Sequence, residues 1–321
     1  MRIGNLELKY GICLAPMAGF SDRGMRYVSH MLGAEYSVSE MISAKAVCYK
    51  DRKTFELARI SEDEGPVAIQ IFGSDPNTMA RASEILQKDM ASNAKPVAID
   101  INMGCPVHKI FSNGEGSALM KNPDEIYRIV KAVNSASDIP VTVKIRAGID
   151  KEHINAVECA LAAEAGGAAA VCVHGRTRVD MYSGKADLEI IKNVKQSLQI
   201  PVIANGDIVD FESARKMFLE TKADAIMIGR GAIGNPFVFS EILAGISGEK
   251  FVMPSREERI NTALLQLKLS AQQKGERAAV LEARKQVALY LKGFPGAAAA
   301  RAEINRSETY LDVERALMLS L

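Results

Sequence analysis

The five cysteines of this chain, Cys13, Cys48, Cys105, Cys159 and Cys172, form no CxxC pair, and its four histidines, His30, His108, His153 and His174, form no HxxH or HExxH. Both patterns that usually announce a zinc or iron–sulfur site are missing, so no metal is expected. No apolar run is long enough to span a bilayer, which excludes a membrane helix. Glu7 and Lys9 interrupt the N-terminus before any sustained apolar segment, so a secretory signal is not indicated and a cytoplasmic location is expected. Also missing is a GxGxxG after an early strand with an acidic residue about 20 positions on, which argues against a resident Rossmann dinucleotide. The net charge of +1 decides nothing by itself, but its distribution is uneven. From Lys250 to Leu321 there are 12 Lys and Arg against 8 Asp and Glu, so 12 − 8 gives +4 there and leaves −3 on the first 249 residues. A basic tail on a slightly acidic body permits a polyanionic partner, although a solvated helix face accounts for the same charge.

What is present is a repeat. Short apolar runs recur at Ile12–Met17, Tyr36–Ser39, Val67–Phe72, Val97–Ile101, Val141–Ile145, Ala169–Val173, Pro201–Ala204 and Ala223–Ile228, with helical patterns such as Pro123–Val133 and Ile190–Leu198 between them. Continuous rather than alternating hydrophobicity is the mark of parallel strands covered by helices. Eight strand–helix repeats in about 230 residues predict an α/β fold, a (β/α)8 TIM barrel, for which roughly 250 residues is typical. The pattern changes after Pro236 to long helical stretches at Arg256–Gln273 and Ala279–Leu291 and an alanine tract, Ala297 to Ala300. The expected organisation is a barrel over residues 1–243 and a packed helical domain over 244–321. No isolated apolar stripe points to a second copy, and a monomer is the default expectation.

A barrel of this kind carries its chemistry just after the C-terminal ends of its strands. Polar or glycine residues fall there in register: Ala18-Gly19, Glu40, Gln70, Asn102, Lys144 to Arg146, His174 to Arg178, Asn205 to Asp207, and Gly229 to Gly231. Cys13, Cys159 and Cys172 lie among apolar neighbours and read as core thiols. Cys105 instead follows Asn102-Met103-Gly104 and precedes Pro106 in a rigid turn, which suits a proton donor or nucleophile. The glycines of Asn205-Gly206-Asp207 and Gly229-Arg230-Gly231 let backbone N–H groups approach a phosphate, with Arg230 adding a charge. Turn formation alone is the competing explanation. Lys144 lies inside an apolar strand, where an unpaired ammonium is costly and needs an acceptor. A Schiff base, a partner for a flavin's pyrimidine edge and a salt bridge within the barrel are all open to it. Gln70 and His174, also at strand ends, are placed to hydrogen-bond a flat heterocycle.

Taken together, Ala15-Pro16-Met17-Ala18-Gly19, Ser39-Glu40-Met41, Asp100-Ile101-Asn102-Met103-Gly104-Cys105-Pro106, Gly114 to Leu119, Val141 to Arg146, His174-Gly175-Arg176-Thr177-Arg178, Ala204 to Asp207 and Met227 to Arg230 resemble the tRNA-dihydrouridine synthases, within them the bacterial B branch. The resemblance runs from about residue 10 to 240 and is weaker beyond. It implies FMN held by Pro16, Met17, Ala18, Gln70, Lys144, His174, Asn205, Gly206, Asp207, Gly229 and Arg230, NADPH as transient reductant, and Cys105 as general acid. It also implies a tRNA substrate, with Asn102, Lys109, Arg146, Arg176 and Arg178 as candidate contacts. In the tail, Ala283-Arg284-Lys285 and Tyr290 to Gly296 are similar to the family's RNA-binding domain, yet Gln286 stands where histidine is common and Leu289 where an aromatic is common. The rival expectations are an FMN barrel oxidoreductase acting on a small molecule of the dihydroorotate or enoate type, a tRNA-binding protein without catalysis, and a flavin-free aldolase using Lys144.

Overall fold

A computed structural model describes residues 1–88 and 94–319. All eight apolar runs become parallel strands: β1 (Ile12–Leu14), β2 (Tyr36–Val38), β3 (Val67–Phe72), β4 (Ala98–Met103), β5 (Val141–Arg146), β6 (Ala170–His174), β7 (Val202–Asn205) and β8 (Ala225–Ile228). Each pairs with the next, and β8 returns to β1 through Ile226 opposite Ile12, so the sheet closes into a barrel. A two-residue strand, Ile42–Ser43, lies beside the end of β3 at Ile71 and Phe72.

Alternation along each strand explains both layers of the core. On β4 the side chains of Ile99, Ile101 and Met103, and on β5 those of Val141, Val143 and Ile145, pack outward in the large core shared with the helices. The intervening positions point inward. At the closed end they are small or apolar: Cys13, Tyr36, Ala68, Ala98, Ala170, Cys172, Ile203 and Ala225, sealed by Ile3 and Leu8 of an N-terminal hairpin. Toward the C-terminal ends they turn polar, giving Gln70, Asp100 and Thr142 in one lateral row and Asn102 opposite Lys144 in the next.

The helices begin where local chemistry provides a start. Asn122 caps the Pro123–Ser135 helix, whose first residue is the proline that needs no N–H donor there. Ser255 and Glu258 form a reciprocal capping box at the head of Arg256–Lys274. Gly248, in the left-handed region at φ +72, ends the Val238–Ser247 helix. That helix spans residues 243 and 244 and buries Val238, Phe239 and Ile242 in the core shared with the barrel.

The tail has its own core around Ile260, Leu267, Val280, Tyr290, Ile304 and Leu317. The helix expected over Ala279–Leu291 is broken: Glu276–Ala283 ends, and a 3-10 turn, Val287–Leu291, follows. The break comes at Gln286, whose buried amide is drawn between Gln266 and the backbone of Gly19. The alanine tract starts the Ala297–Arg306 helix, with Ala297 and Ala300 buried.

Tail and barrel meet where the Arg256–Lys274 helix crosses Arg23–Met31, a helix capped by Asp22. Lys274 Nζ reaches Asp22 Oδ2 at 2.8 Å and also pairs with Glu282. Gly24 makes the crossing possible, since a Cβ there would stand 2.2 Å from the backbone oxygen of Gln266 and 2.5 Å from Ser270 Oγ. Gly24→Val is therefore expected to destabilise the protein by about 1–3 kcal/mol through overpacking, read as a lowered calorimetric midpoint, with proteolysis accelerating first in the tail.

Candidate active site

The polar ends of the strands open into one cavity of about 620 Å³, within the usual range for small-ligand sites. Its walls include Pro16, Met17 and Ala18 after β1, Gln70 on β3, Asn102 and Cys105 from β4 and its loop, Lys144 and Arg146 on β5, and His174 on β6. Asn205, Gly206 and Asp207 follow from β7, and Gly229 and Arg230 from β8. Of the FMN, acid and tRNA-contact residues that the resemblance implied, Lys109, Arg176 and Arg178 are the ones not among its lining residues.

Lys144 is half-buried, and its Nζ donates to Asn205 Oδ1 at 2.9 Å. The orientation of that amide is fixed because Asn205 Nδ2 donates to the carbonyl of Met227. Its hydrogen-bond acceptor in the described residues is thus an amide oxygen rather than a carboxylate. Burial lowers the lysine pKa, and the neighbouring Arg146 adds to the effect while Cys172 and Asp100 oppose it.

His174 is pushed down to about 2 by burial and then by Lys144, Arg146, Arg176 and Arg230, so its ring is neutral at physiological pH. Arg176 Nη1 lies 3.4 Å from His174 Nε2, which leaves Nε2 as the acceptor and the proton on Nδ1.

The Arg176 side chain is 2% exposed, donating to the carbonyls of Ser183 and Gly184 and to Asp207 Oδ1 at 2.7 Å. Those bonds fold the loop after β6 back over the barrel. Asp207 adopts φ +52 and also accepts from the N–H of Ala186. Burial works against its ionisation, but the Ala186 N–H and Arg176 hold the carboxyl below the ordinary range.

Arg146 is likewise anchored, donating to Gly104 O, Thr177 O and Met181 O, and burial brings its pKa to about 10. It clamps the Cys105 loop to the loop after β6. Arg178 lies outside the cavity with its guanidinium 3.8 Å from the centre of the Phe111 ring, and Lys109 is exposed on the short His108–Ser112 helix.

Cys105 is 8% exposed. Its N–H donates to Asn102 Oδ1 at 2.9 Å, and its carbonyl accepts from Ser117 Oγ at 2.8 Å. Gly116, at φ +61, passes so close that a Cβ would stand 3.0 Å from Cys105 Cβ. Burial raises the thiol pKa, against the pull of the Val107 N–H and Arg146, so the sulfur keeps its proton.

Tyr182 escaped the sequence reading. It lines the cavity with its ring 4.8 Å from the Arg230 guanidinium and 5.9 Å from that of Arg146. The one available signal was an aromatic in an otherwise polar loop shortly after His174.

Asp207 is the one carboxylate among the lining residues, whereas Lys144, Arg146 and Arg230 are cationic. The arrangement suits an anionic, flat, heteroatom-rich ligand beside a protonated thiol. Among the described residues, no group of three or more His, Cys, Asp or Glu is placed to hold a metal ion, and no helix is long and apolar enough to cross a membrane.

Residues 13–318 match the family model described as dihydrouridine synthase. The chain is 42% identical over 311 residues to tRNA-dihydrouridine synthase B of Pseudomonas aeruginosa, covering 95% of this chain and 91% of that one. It is 40% identical over 307 residues to a probable tRNA-dihydrouridine synthase of Rickettsia bellii, covering 95% and 93%. Among solved structures, histamine dehydrogenase from Rhizobium sp. 4-9 superposes with a TM-score of 0.58 at 12% identity, over 84% of this chain and 50% of that one, a likeness of fold.

The neutral His174 has a consequence for stability. In the unfolded chain a histidine takes up its proton near pH 6.5, whereas in the folded protein His174 does so at about 2. Between those values the unfolded state binds more protons, so stability falls as pH falls through that window. Urea unfolding at about pH 7.5 and about pH 5.5 should show a smaller loss on acidification for His174→Gln than for the unaltered protein.

Proposed function

Since the chain belongs to the dihydrouridine synthase family, we propose that it is an FMN-dependent tRNA-dihydrouridine synthase, a cytoplasmic monomer that reduces the C5–C6 double bond of D-loop uridines in tRNA. The observation that carries this reading is a protonated thiol, Cys105, at the edge of a cavity that also gathers Gln70, Lys144 and His174. The residues present fit FMN. A half-buried lysine whose hydrogen-bond acceptor is a single amide oxygen, a neutral histidine and one paired carboxylate leave positive charge for an anionic ligand. Gly206, Gly229 and Arg230 would take the phosphate, Pro16, Met17 and Ala18 would flank the ring, and Gln70, Lys144, His174, Asn205 and Asp207 would complete the binding set. When bound and reduced by NADPH, FMN supplies the hydride that the uracil C6 receives.

The chain supplies the rest. Cys105 Sγ holds the proton that C5 needs, and its raised pKa keeps that proton available at neutral pH. Asn102 and Arg146, which line the cavity beside Cys105, border the uracil. Lys109 and Arg178, outside it, meet the RNA around the target. A base reaches such a cavity only out of its stack, so the cavity's depth selects a flipped or looped-out nucleotide.

Anaerobically reduced protein mixed with unmodified tRNA in a single turnover should reoxidise and add two mass units to a uridine, a gain expected for one hydride and one proton. Flavin that stays reduced with tRNA but reoxidises with a small unsaturated substrate would favour the small-molecule reading. Cys105→Ala should keep flavin and NADPH oxidation and lose tRNA reduction by about 10²- to 10⁴-fold. The rate of the tRNA step should be flat at neutral pH and fall only above the ordinary thiol range of about 8.5, because the acid must be protonated and its pKa is raised. A stopped-flow pH profile checks this.

A further inference from the structure

Taking Cys105 as the proton donor of the proposed reaction, we propose that Asp100 is the positioning residue that sets where the thiol stands, acting through a buried relay of two amides. Asp100 sits on the inner face of β4, 3% exposed, in lateral register with Gln70 of β3 and Thr142 of β5. Its Oδ1 accepts from Thr142 Oγ1 at 2.6 Å and its Oδ2 from Gln70 Nε2 at 2.7 Å. Gln70 Oε1 then accepts from Asn102 Nδ2 at 2.8 Å, and Asn102 Oδ1 accepts from the N–H groups of Cys105 and Gly104 at 2.9 and 3.2 Å.

The direction of the relay follows from its two ends. A carboxylate only accepts, and a backbone N–H only donates. With an acceptor at one end and donors at the other, each amide has one orientation that satisfies both neighbours. Turning Gln70 over would place its carbonyl against Asp100, and turning Asn102 over would place its NH2 against the Cys105 N–H. Either fault leaves buried polar groups unpaired in a lumen that offers little water. Asp100 thereby selects the face that Gln70 presents and, two amides away, the seat of the Cys105 backbone. It touches neither the thiol nor the cavity, so its influence is one of position.

The test uses thiol reactivity in flavin-stripped protein without tRNA. Iodoacetamide labelling is followed by peptide mass spectrometry at Cys105, with the half-buried Cys48 as reference in the same sample. Asp100→Leu removes the acceptor, and Gln70→Met removes the middle of the relay while sparing the Asp100–Thr142 bond. Each is expected to raise Cys105 labelling about tenfold as the loop loosens. Asp100→Asn should stay near the unaltered rate, because its amide oxygen can still accept from Gln70 while its NH2 turns to the Thr142 hydroxyl. In flavin-loaded enzyme, Asp100→Leu should slow the single-turnover tRNA step about 10²-fold with little change in KM for tRNA, and Asp100→Asn should restore it.

An unchanged Cys105 labelling rate in Gln70→Met overturns the relay, and does so even if Asp100→Leu fails to fold. Equal damage from Asp100→Asn and Asp100→Leu also overturns it, by assigning the effect to the negative charge near Lys144. Labelling that responds as expected in a protein that never reduces tRNA would uphold the relay and count against the proposed reaction instead.

Discussion

Closing eight parallel strands into a barrel turns every second side chain into a lumen without bulk water, and each polar group placed there must find its partner on another strand. The active-site geometry is the solution to that constraint. Asp100 of β4 is satisfied by β3 and β5, Lys144 of β5 by Asn205 of β7, and Asn205 in turn by the backbone of β8. The bonds that orient the functional side chains are therefore bonds between barrel strands. For Gln70, Lys144 and Asn205, precision comes from the scaffold itself.

Charge follows a second rule. Lys144, Arg146, Arg176 and Arg230 crowd around His174, and the nearest balancing carboxylate, Asp207, is already engaged by Arg176 and lies 3.7 Å from Arg230. Such an excess of positive charge is the kind of local conflict that a binding site tolerates in order to receive an anion. Burial, reinforced by the same field, keeps the imidazole neutral, and burial keeps the thiol protonated. Two groups whose unperturbed pKa values bracket neutrality are both held as uncharged donors.

Much of this was legible in the sequence because the outward faces of the strands are uniformly apolar and the polar residues fall at the inward positions near strand ends. The runs at Val67–Phe72 and Val141–Ile145 needed almost no adjustment. The fate of Arg176 was not legible. Its burial depends on carbonyls of Ser183 and Gly184 that a later loop brings over it, and nothing in a run of alternating arginines tells which will be covered. Tyr182 was missed for the reverse reason, since its contacts, Arg146 at the end of β5 and Arg230 after β8, lie far apart in sequence. The end of the Val238–Ser247 helix was not legible either, because its stop signal, Gly248, acts through backbone conformation.

The tail gives the most instructive case. Its two departures from the family pattern, Gln286 and Leu289, fall on the face that meets the barrel. Gln286 links Gln266 to the carbonyl of Gly19, and Leu289 packs so tightly on Gly234 that a Cβ there would stand 2.4 Å from its own. Gly234 can take this approach only because it has no side chain and sits at φ +68. Gly19 follows the Pro16–Ala18 segment, and Gly234 follows the Gly229–Ile233 segment, both of which line the cavity. Lys285, immediately before Gln286, remains exposed. The unusual residues thus serve the seating of the tail on the cavity's own loops, and the exposed basic residue is left free to face outward.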